Sequence, residues 1–335
     1  MPPQAQANSG MSDDARWLAS AASLAARARP SSRPNPAVGA IVVSEGCVAG
    51  RGWTAQGGRP HAEALALAAA GSAAQGATLY VTLEPCAHQS ERGPACADLI
   101  VASGLARVVI GCEDPDPRTA GQGLARIRAA GIAVELVSSS ESVASLSGYL
   151  TQRRLGRPEV TLKLALSLDG CLARQPGGDR WLSGEVARAH CHALRAKSDA
   201  ILVGGGTLRA DAPRLDVRLP GLEMRSPKRW VLTRRAAPVG WRALASPQAI
   251  SNMKDVQYLF VEGGAETARA FVSDCLVDRL VIYRAPFKVG GGVPCLPEFA
   301  SPLLERQAGT WQREDSRQLG NDTLEVYTRL ACSPE

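Results

Sequence analysis

Four side chains with the chemistry of a catalytic metal site lie within one short stretch of this 335-residue chain. His61 and Glu63 open an alanine-rich run that predicts a helix, and Cys86 and Cys96 follow an apolar segment that predicts a strand. Zinc is bound by imidazole nitrogen and thiolate sulfur, and a catalytic zinc has three protein ligands and one water. His61, Cys86 and Cys96 therefore predict a zinc site, with Glu63 as a carboxylate beside the bound water rather than as a ligand.

The chemistry that these residues predict is hydrolytic deamination. In zinc deaminases the metal activates a water that attacks a ring carbon bearing an amino group, and a glutamate moves the protons that let ammonia leave. An isolated H-x-E is a weak signal and free cysteines are often buried hydrophobes, so the prediction depends on the joint spacing. A nucleoside or tRNA deaminase is disfavoured. Its P-C-x-x-C motif holds both thiolates on one helical turn, whereas nine residues separate Cys86 from Cys96.

Length, charge and cysteine content predict two domains in a reducing compartment. A chain of 335 residues exceeds the usual size of one domain, and 45% apolar residues suffice for two cores. The net charge of +6 is dispersed, which suits a small anionic substrate and does not indicate nucleic acid. No apolar run is long enough to predict a membrane span. Nine cysteines without a disulfide framework indicate free thiols and a cytoplasmic protein.

Strands and helices alternate along the chain and predict an α/β fold in two domains. A polar stretch before residue 148 and a basic segment after it indicate a boundary. We therefore expect a first domain over residues 12–147, a linker over 148–158 and a second domain over 159–335. Residues 1–11 are expected to be a disordered tail.

Two apolar strands of the second half end in glycine clusters, in I-L-V-G-G-G-T and in V-E-G-G-A. Glycines let backbone N–H groups approach an anion, and α/β proteins bind ligands at the carboxyl ends of their strands. The clusters predict a cradle for the phosphates of a dinucleotide or a sugar phosphate, with tight packing turns as the alternative. Among the nearby arginines, Arg195 and Arg218 can grip phosphate, whereas surface solvation is favoured for Arg209 and Arg214.

Seven motifs, spread in order over nearly the whole chain, resemble those of the bifunctional riboflavin-biosynthesis deaminase–reductase family. They are P-N-P-A-V-G, H-A-E, T-L-E-P-C-A-H, T-L-K-L-A-L-S-L-D-G, R-W-L-S-G-E-V-A-R, A-I-L-V-G-G-G-T and V-E-G-G-A. The resemblance implies an N-terminal cytidine-deaminase-like three-layer α/β domain and a C-terminal α/β domain similar to dihydrofolate reductase. It implies a small phosphorylated substrate, 2,5-diamino-6-(5-phosphoribosylamino)pyrimidin-4-one, which is deaminated and then reduced with NADPH from ribosyl to ribityl. It also implies a homo-oligomer formed through the reductase domain.

The resemblance assigns residues to each site. His61, Cys86 and Cys96 match the zinc ligands, and Glu63 matches the proton shuttle. Asn35, which residue chemistry alone favours as a turn residue, matches a pyrimidine contact. The other expected substrate contacts of the deaminase are Arg92 and His88; a fourth protein ligand at His88 would close the metal site. The positions that match the NADPH site are Ala165, Trp181, Thr207, Asp211, Gly263, Gly264 and Ala265. The positions that match substrate contacts of the reductase are Asp179, Arg195, Leu215, Arg218 and Glu262.

Three departures from the family's pattern affect these expectations. The spacing between the two cysteines is one residue longer than is usual. Asp179 stands where serine is common, and Ala212 replaces an aspartate. The segment between Thr233 and Tyr258 is short, which predicts a trimmed reductase sheet. The alternative is therefore a deaminase whose C-terminal half binds or oligomerises but no longer reduces.

Overall fold

The computed structural model describes residues 12–88, 90–173, 182–295 and 311–330. The chain divides between Arg154 and Leu155 into two compact units, each with its own hydrophobic core. The expected reductase contacts Asp179 and Trp181, and the expected tail at residues 1–11, lie outside the described residues. No described helix is both long and apolar enough to cross a membrane.

The first unit is a five-stranded sheet with helices on both faces. Its strands are β1 (Gly39–Ser44), β2 (Cys47–Trp53), β3 (Thr78–Val81), β4 (Arg107–Ile110) and β5 (Ala133–Leu136), in the spatial order β2-β1-β3-β4-β5. β1 is antiparallel to β2 and β3, whereas β3, β4 and β5 are parallel. The helices are α1 (Asp13–Ala28), α2 (Ala62–Ala70), α3 (Cys96–Val101), α4 (Gln122–Ala129), α5 (Ser140–Ser145) and α6 (Ser147–Leu155).

The side chains of β1 alternate between two cores. Ala40 and Val42 are buried in the core that includes residues of α2 and α3. Ile41 and Val43 are buried in the core that includes residues of α1. Successive side chains of a strand point to opposite faces, so helices cover both faces of this sheet. The three-layer α/β fold expected for the first half is confirmed.

Two glycines of β2 let α2 lie close to the sheet. A Cβ atom at Gly50 would come within 2.2 Å of the carbonyl oxygen of Ala66, and one at Gly52 within 2.4 Å of that of Ala62. A side chain at either position would push the helix away, because packed interiors have no room for it. Since α2 carries Glu63, these glycines help to set the position of the metal site.

Most of the expected linker is helical. Helix α6 covers Ser147–Leu155, and Tyr149 and Leu150 are buried in the core of the first unit. The polar segment before it also forms a helix, α5, where Oγ of the N-cap Ser139 accepts a hydrogen bond from Ser142 N. Part of the basic stretch at residues 148–158 is therefore the exposed side of a helix whose other side is packed in the core.

The second unit is built on an eight-stranded sheet in the order β10-β9-β8-β11-β6-β12-β15-β14. Six strands are parallel: β6 (Glu159–Leu166), β8 (Ala200–Gly204), β9 (Lys228–Leu232), β10 (Arg242–Leu244), β11 (Tyr258–Val261) and β12 (Arg279–Arg284). β15 (Asp322–Arg329) is antiparallel to β12 and to the edge strand β14 (Trp311–Leu319). The helices are α7 (Glu185–Arg195), α8 (Gly205–Asp211) and α9 (Ala265–Ser273), and β7 (Cys171–Ala173) pairs with β13 (Val293–Pro294).

The segment that led to the expectation of a trimmed reductase sheet still contributes a strand to that sheet. The segment between Thr233 and Tyr258 contains β10, which pairs with β9, and a 3-10 helix over Pro247–Asn252. Its apolar residues Leu244, Ile250 and Met253 are buried in the core of the second unit. The short segment therefore still supplies an edge strand and a helical turn, because a few buried side chains are enough to anchor them.

Candidate active sites

The expected metal ligands meet in the first unit. The ligating atoms of His61, Cys86 and Cys96 all lie within 4.8 Å of one another. Nδ1 of His61 is 3.2 Å from Sγ of Cys96 and 3.5 Å from Sγ of Cys86. Zinc binds imidazole nitrogen at about 2.0–2.1 Å and thiolate sulfur at about 2.3 Å, so one ion can bridge atoms at these separations. The donor set and its spacing therefore fit zinc.

Three elements bring the ligands together. His61 is the N-cap of α2, Cys86 follows β3, and Cys96 is the first residue of α3. The loop between the cysteines closes on itself, since Cys96 N donates to Sγ of Cys86 at 3.3 Å and Ala97 N donates to Cys86 O at 3.1 Å. These bonds hold both thiols beside the imidazole, although nine residues separate the two cysteines.

Glu63 lies in the first turn of α2 and is 3% exposed. Burial raises the pKa of its carboxyl group, which the charge of His61 partly opposes. A carboxyl group whose pKa is raised is a better proton acceptor than an ordinary carboxylate, as general acid–base catalysis requires. Glu63 therefore lies beside the metal cluster, and its role as proton shuttle stays a prediction.

The metal cluster opens into a cavity of about 240 Å³, which also contains the other predicted deaminase residues Asn35, His88 and Arg92. Nδ2 of Asn35 lies 3.0 Å from Nε2 of His61 and donates to Gly58 O at 2.9 Å. Asn35 thus orients the imidazole as well as lining the cavity. Among the described residues, Nδ1 of His88 is buried and has no hydrogen-bond partner, so it is free to meet a ligand in the cavity.

The sequence analysis missed a group of residues on the same cavity. They come from the end of β3, from the D-P-D-P loop that follows β4, and from α6: Glu84, Asp114, Asp116, Arg118, Tyr149 and Arg153. The Glu84 carboxylate holds the loop by accepting bonds from the backbone N–H groups of Asp114, Gly121, Gly123 and Leu124. Because β3 and β4 are parallel neighbours, the residues that follow them meet at one edge of the sheet. The repeated D-P motif after β4 was the available sequence signal for this group.

Two hydrogen-bonded groups order this side of the cavity. The Tyr149 hydroxyl donates to Oδ1 of Asp114 at 2.7 Å. Arg118 donates to both carboxylate oxygens of Asp116, at 3.0 and 2.7 Å, and Nη2 of Arg153 lies 3.3 Å from Oδ2. The hydrogen bond from Arg118 lowers the pKa of Asp116 to about 2. Asp116 is therefore a carboxylate with two arginine partners.

A second cavity, of about 190 Å³, lies in the second unit. It contains four of the predicted reductase residues, Ala165, Arg195, Arg218 and Glu262. Nε and Nη2 of Arg195 contact the two oxygens of Glu262 at 2.5 and 2.9 Å. Burial raises the pKa of Glu262, but Arg195 outweighs it and holds this pKa below its ordinary value. The pair is therefore charged and fixed in orientation.

Lys163 and Tyr283 line the same cavity and were missed. Lys163 is the only charged residue in the middle of the apolar strand T-L-K-L-A-L, which was an available signal. A lysine among apolar strand residues needs an anionic ligand, a partner or solvent, because burying a lone charge is costly. Leu215, predicted as a substrate contact, is 5% exposed and packs in an apolar core, so only its backbone could reach a ligand.

Comparison with known proteins identifies both halves. Residues 158–324 match the model of the RibD C-terminal domain, and residues 11–112 match that of the cytidine and deoxycytidylate deaminase zinc-binding region. The riboflavin biosynthesis protein RibD of Aquifex aeolicus is 36% identical over 84% of this chain and 89% of its own length. That of Escherichia coli is 36% identical over 83% of this chain and 89% of its own length.

The chain belongs to the RibD family.

Solved RibD structures share the fold. Acinetobacter baumannii RibD (form 1) superposes with a TM-score of 0.83 at 32% identity, over 95% of this chain and 99% of that chain. A Thermotoga maritima deaminase/reductase gives a TM-score of 0.83 at 28% identity over the same shares. This RibD-family chain is a bifunctional enzyme of riboflavin biosynthesis, with a zinc-dependent deaminase and an NADPH-dependent reductase. The reductase model matches up to residue 324, so the alternative of an inert C-terminal half is not supported.

Most of the predicted NADPH residues that the structure describes follow β8 or β11, which are neighbours in the sheet, whereas Ala165 lies in β6. Thr207 is in α8 and Gly264 precedes α9, and a Cβ atom at Gly264 would come within 3.6 Å of Oγ1 of Thr207. Gly263 also allows a close approach, since a Cβ atom there would come within 2.4 Å of Thr267. The two glycine clusters thus form one surface of backbone groups, which fits a dinucleotide.

Two further predicted NADPH residues belong to the helices that follow the glycine clusters. Ala265 begins α9 and Asp211 ends α8. Arg209, which the sequence favoured as a solvated residue, lines a cavity of about 520 Å³ beside α8 and β9. The structure therefore provides room for a large ligand next to the glycine clusters.

Proposed function

We propose that the first unit deaminates 2,5-diamino-6-(5-phosphoribosylamino)pyrimidin-4-one and that the second reduces the ribosyl side chain of the product to ribityl. The Thermotoga maritima relative is described as a diaminohydroxyphosphoribosylaminopyrimidine deaminase and 5-amino-6-(5-phosphoribosylamino)uracil reductase, which supports this substrate. The observation that carries the proposal is the cluster of His61, Cys86 and Cys96, in which His61 and Cys86 share one cavity with the buried carboxyl group of Glu63.

In the deaminase we assign binding and proton transfer to separate residues. His61, Cys86 and Cys96 would hold zinc, which activates water for attack on the carbon that bears the amino group. Glu63 accepts a proton from that water and delivers it to the departing amine. His88, with its unpartnered ring nitrogen, and Asn35 contact the heterocycle, and Arg92 contributes positive charge near the same pocket.

In the reductase we assign Arg195, Arg218 and Glu262 to the substrate, because they line one cavity with Ala165. We add Lys163 and expect it to hold the charge of the phosphorylated side chain. NADPH supplies a hydride when it is bound, so the protein needs only to position and polarise the sugar carbon. We assign Ala165, Thr207, Asp211, Gly263, Gly264 and Ala265 to NADPH. Asp179 and Trp181 remain sequence-based assignments.

We also propose a homo-oligomer formed through the second unit, and a cytoplasmic location. The nine-residue strand β14 is the edge of the eight-stranded sheet, and long edge strands are templates for pairing. All eight cysteines in the described part of the chain are free thiols, as a reducing compartment requires. Light scattering of the purified protein tests the first proposal, since a monomeric mass would overturn it.

The test of function is to supply the diaminopyrimidinone substrate with and without NADPH and to identify the products. Without NADPH we expect one ammonia per substrate and a ribosylated product. With NADPH we expect the same ammonia, one NADPH oxidised per product, and the ribityl compound. Glu63→Gln is the matched control and should block both steps with this substrate, while it leaves reduction of the deaminated compound intact. Oxidation of NADPH by that variant with the diaminopyrimidinone would overturn the order of steps.

A further inference from the structure

Two arginines that line the deaminase cavity, Arg118 and Arg153, have no role in the function proposed above. Two side chains that line the cavity at its metal end are buried, since Glu63 is 3% exposed and Cys86 is 8% exposed. By contrast, the side chains of Arg118 and Arg153 are 61% and 41% exposed, yet both line the same cavity. A ligand whose ring reaches the buried cluster would therefore place its polar tail toward the exposed arginines.

Arg153 is held in place by two neighbours. Its guanidinium carbon lies 5.3 Å from the centre of the Tyr149 ring, and Nη2 contacts Oδ2 of Asp116 at 3.3 Å. Tyr149 is itself fixed by its hydrogen bond to Asp114. An arginine that is already oriented loses less side-chain freedom when it binds a ligand, so its hydrogen bonds contribute more to affinity.

Asp116 joins the two arginines without neutralising them. Arg118 and Arg153 contact the same carboxylate oxygen, so this group of three side chains carries a net positive charge. Each guanidinium has five N–H donors, and the bonds to Asp116 leave donors on both. Paired guanidinium groups with free donors match the geometry of a phosphate monoester, which accepts several hydrogen bonds at once.

We propose that Arg118 and Arg153, oriented by Asp116 and Tyr149, form the subsite of the deaminase that binds the phosphate of the phosphorylated substrate. The inference rests on the proposed function. It adds that the deaminase selects the phosphorylated form over the corresponding compound without phosphate. α6, which carries Arg153, then contributes to substrate specificity in the segment that the sequence suggested as a linker.

The test measures ammonia release by the full-length, zinc-loaded protein from the phosphorylated substrate and from its dephosphorylated counterpart. For Arg153→Ala we expect kcat/KM to fall about tenfold with the phosphorylated compound, mainly through KM, and less than twofold with the other. Arg154→Ala is the matched control, because Arg154 is the next residue of α6 and does not line the cavity. It should leave both values unchanged. Equal losses with both compounds in Arg153→Ala, or the same selective loss in Arg154→Ala, would overturn the proposal.

A second variant distinguishes a contact between Arg153 and the phosphate from a role of Arg153 in neutralising the charge of Asp116. Asp116→Asn keeps the Oδ1 acceptor for the backbone N–H of Arg118 but removes the charge. If Arg153 binds phosphate, the double variant Asp116→Asn/Arg153→Ala still loses selectivity for the phosphorylated compound. Recovery of wild-type selectivity in the double variant would overturn the proposal. Zinc content verifies that each variant is folded. Failure of the wild type to release ammonia from either compound would instead contradict the proposed function.

Discussion

Replacing Arg195 by methionine would leave the carboxylate of Glu262 buried without its cation. Both side chains are 11% exposed, and their two contacts are 2.5 and 2.9 Å long. Breaking such a pair from one side costs about 3–5 kcal/mol, because the remaining charge is left in a poorly solvated site. For a unit of this size, that loss lowers Tm by on the order of 10 °C. We also expect the variant to lose NADPH-dependent reduction and to retain ammonia release, since Arg195 belongs to the second unit.

The destabilisation has a pH dependence of known sign. In the native protein Arg195 holds the pKa of Glu262 below its ordinary value, against the effect of burial. The pair therefore stabilises the fold above the unfolded pKa, about 4.3, and this contribution is lost as pH falls through the folded pKa. Without Arg195 the strongest opposition to the effect of burial is gone, so we expect the pKa of Glu262 to rise, and protonation at lower pH then relieves the cost. The Tm difference between wild type and variant should thus be larger at about pH 8 than at about pH 5.

Scanning calorimetry of the full-length protein measures this effect, with NADPH oxidation and ammonia release assayed in parallel. The matched control is Arg195→Met/Glu262→Leu, in which neither charge of the pair remains. It should recover most of the lost Tm but not the reductase activity, because apolar replacements of a buried pair are often neutral for stability. An unchanged Tm in Arg195→Met, or a Tm difference that grows as pH falls, would refute the reasoning.

Three further substitutions test the site assignments. Glu63→Gln should retain zinc and slow ammonia release about 10²–10⁴-fold, and a wild-type rate would remove Glu63 from proton transfer. Cys96→Ser should lower zinc content and ammonia release together in metal analysis, whereas Cys47→Ser, at an exposed thiol, should change neither. Arg218→Ala should raise KM for the phosphorylated reductase substrate more than KM for NADPH, because Arg218 shares a cavity with Glu262; the reverse ranking would contradict this.

Local patterns were sufficient to predict the metal site. His61 and Glu63 are two residues apart at the start of one helix, and Cys86 and Cys96 are joined by one short loop. Short sequence separations leave few ways to arrange the ligands, so residue type and spacing carried the inference. Strands with apolar side chains were predicted for the same reason. The edge strand β14 was not, because its sequence W-Q-R-E-D-S-R-Q-L is polar on both faces.

Contacts between distant segments were not predictable in this way. Tyr149 bonds to Asp114 across 35 positions, and Gly184 N donates to Oδ2 of Asp322 across 138 positions, at the start of α7. Arg153 falls in the segment that the sequence predicts as a linker, and only the structure shows that α6 brings it beside the D-P-D-P loop.

The sequence by itself thus determined the metal cluster, the two-domain plan and the family, and it singled out Glu63 as the candidate proton shuttle, since each depends on residues close together or on motifs in a fixed order. Only the tertiary structure decided which charged groups surround each cavity. Strand order and helix packing bring residues from separate segments to one edge of a sheet, and the chemistry of a single segment does not reveal its neighbours there.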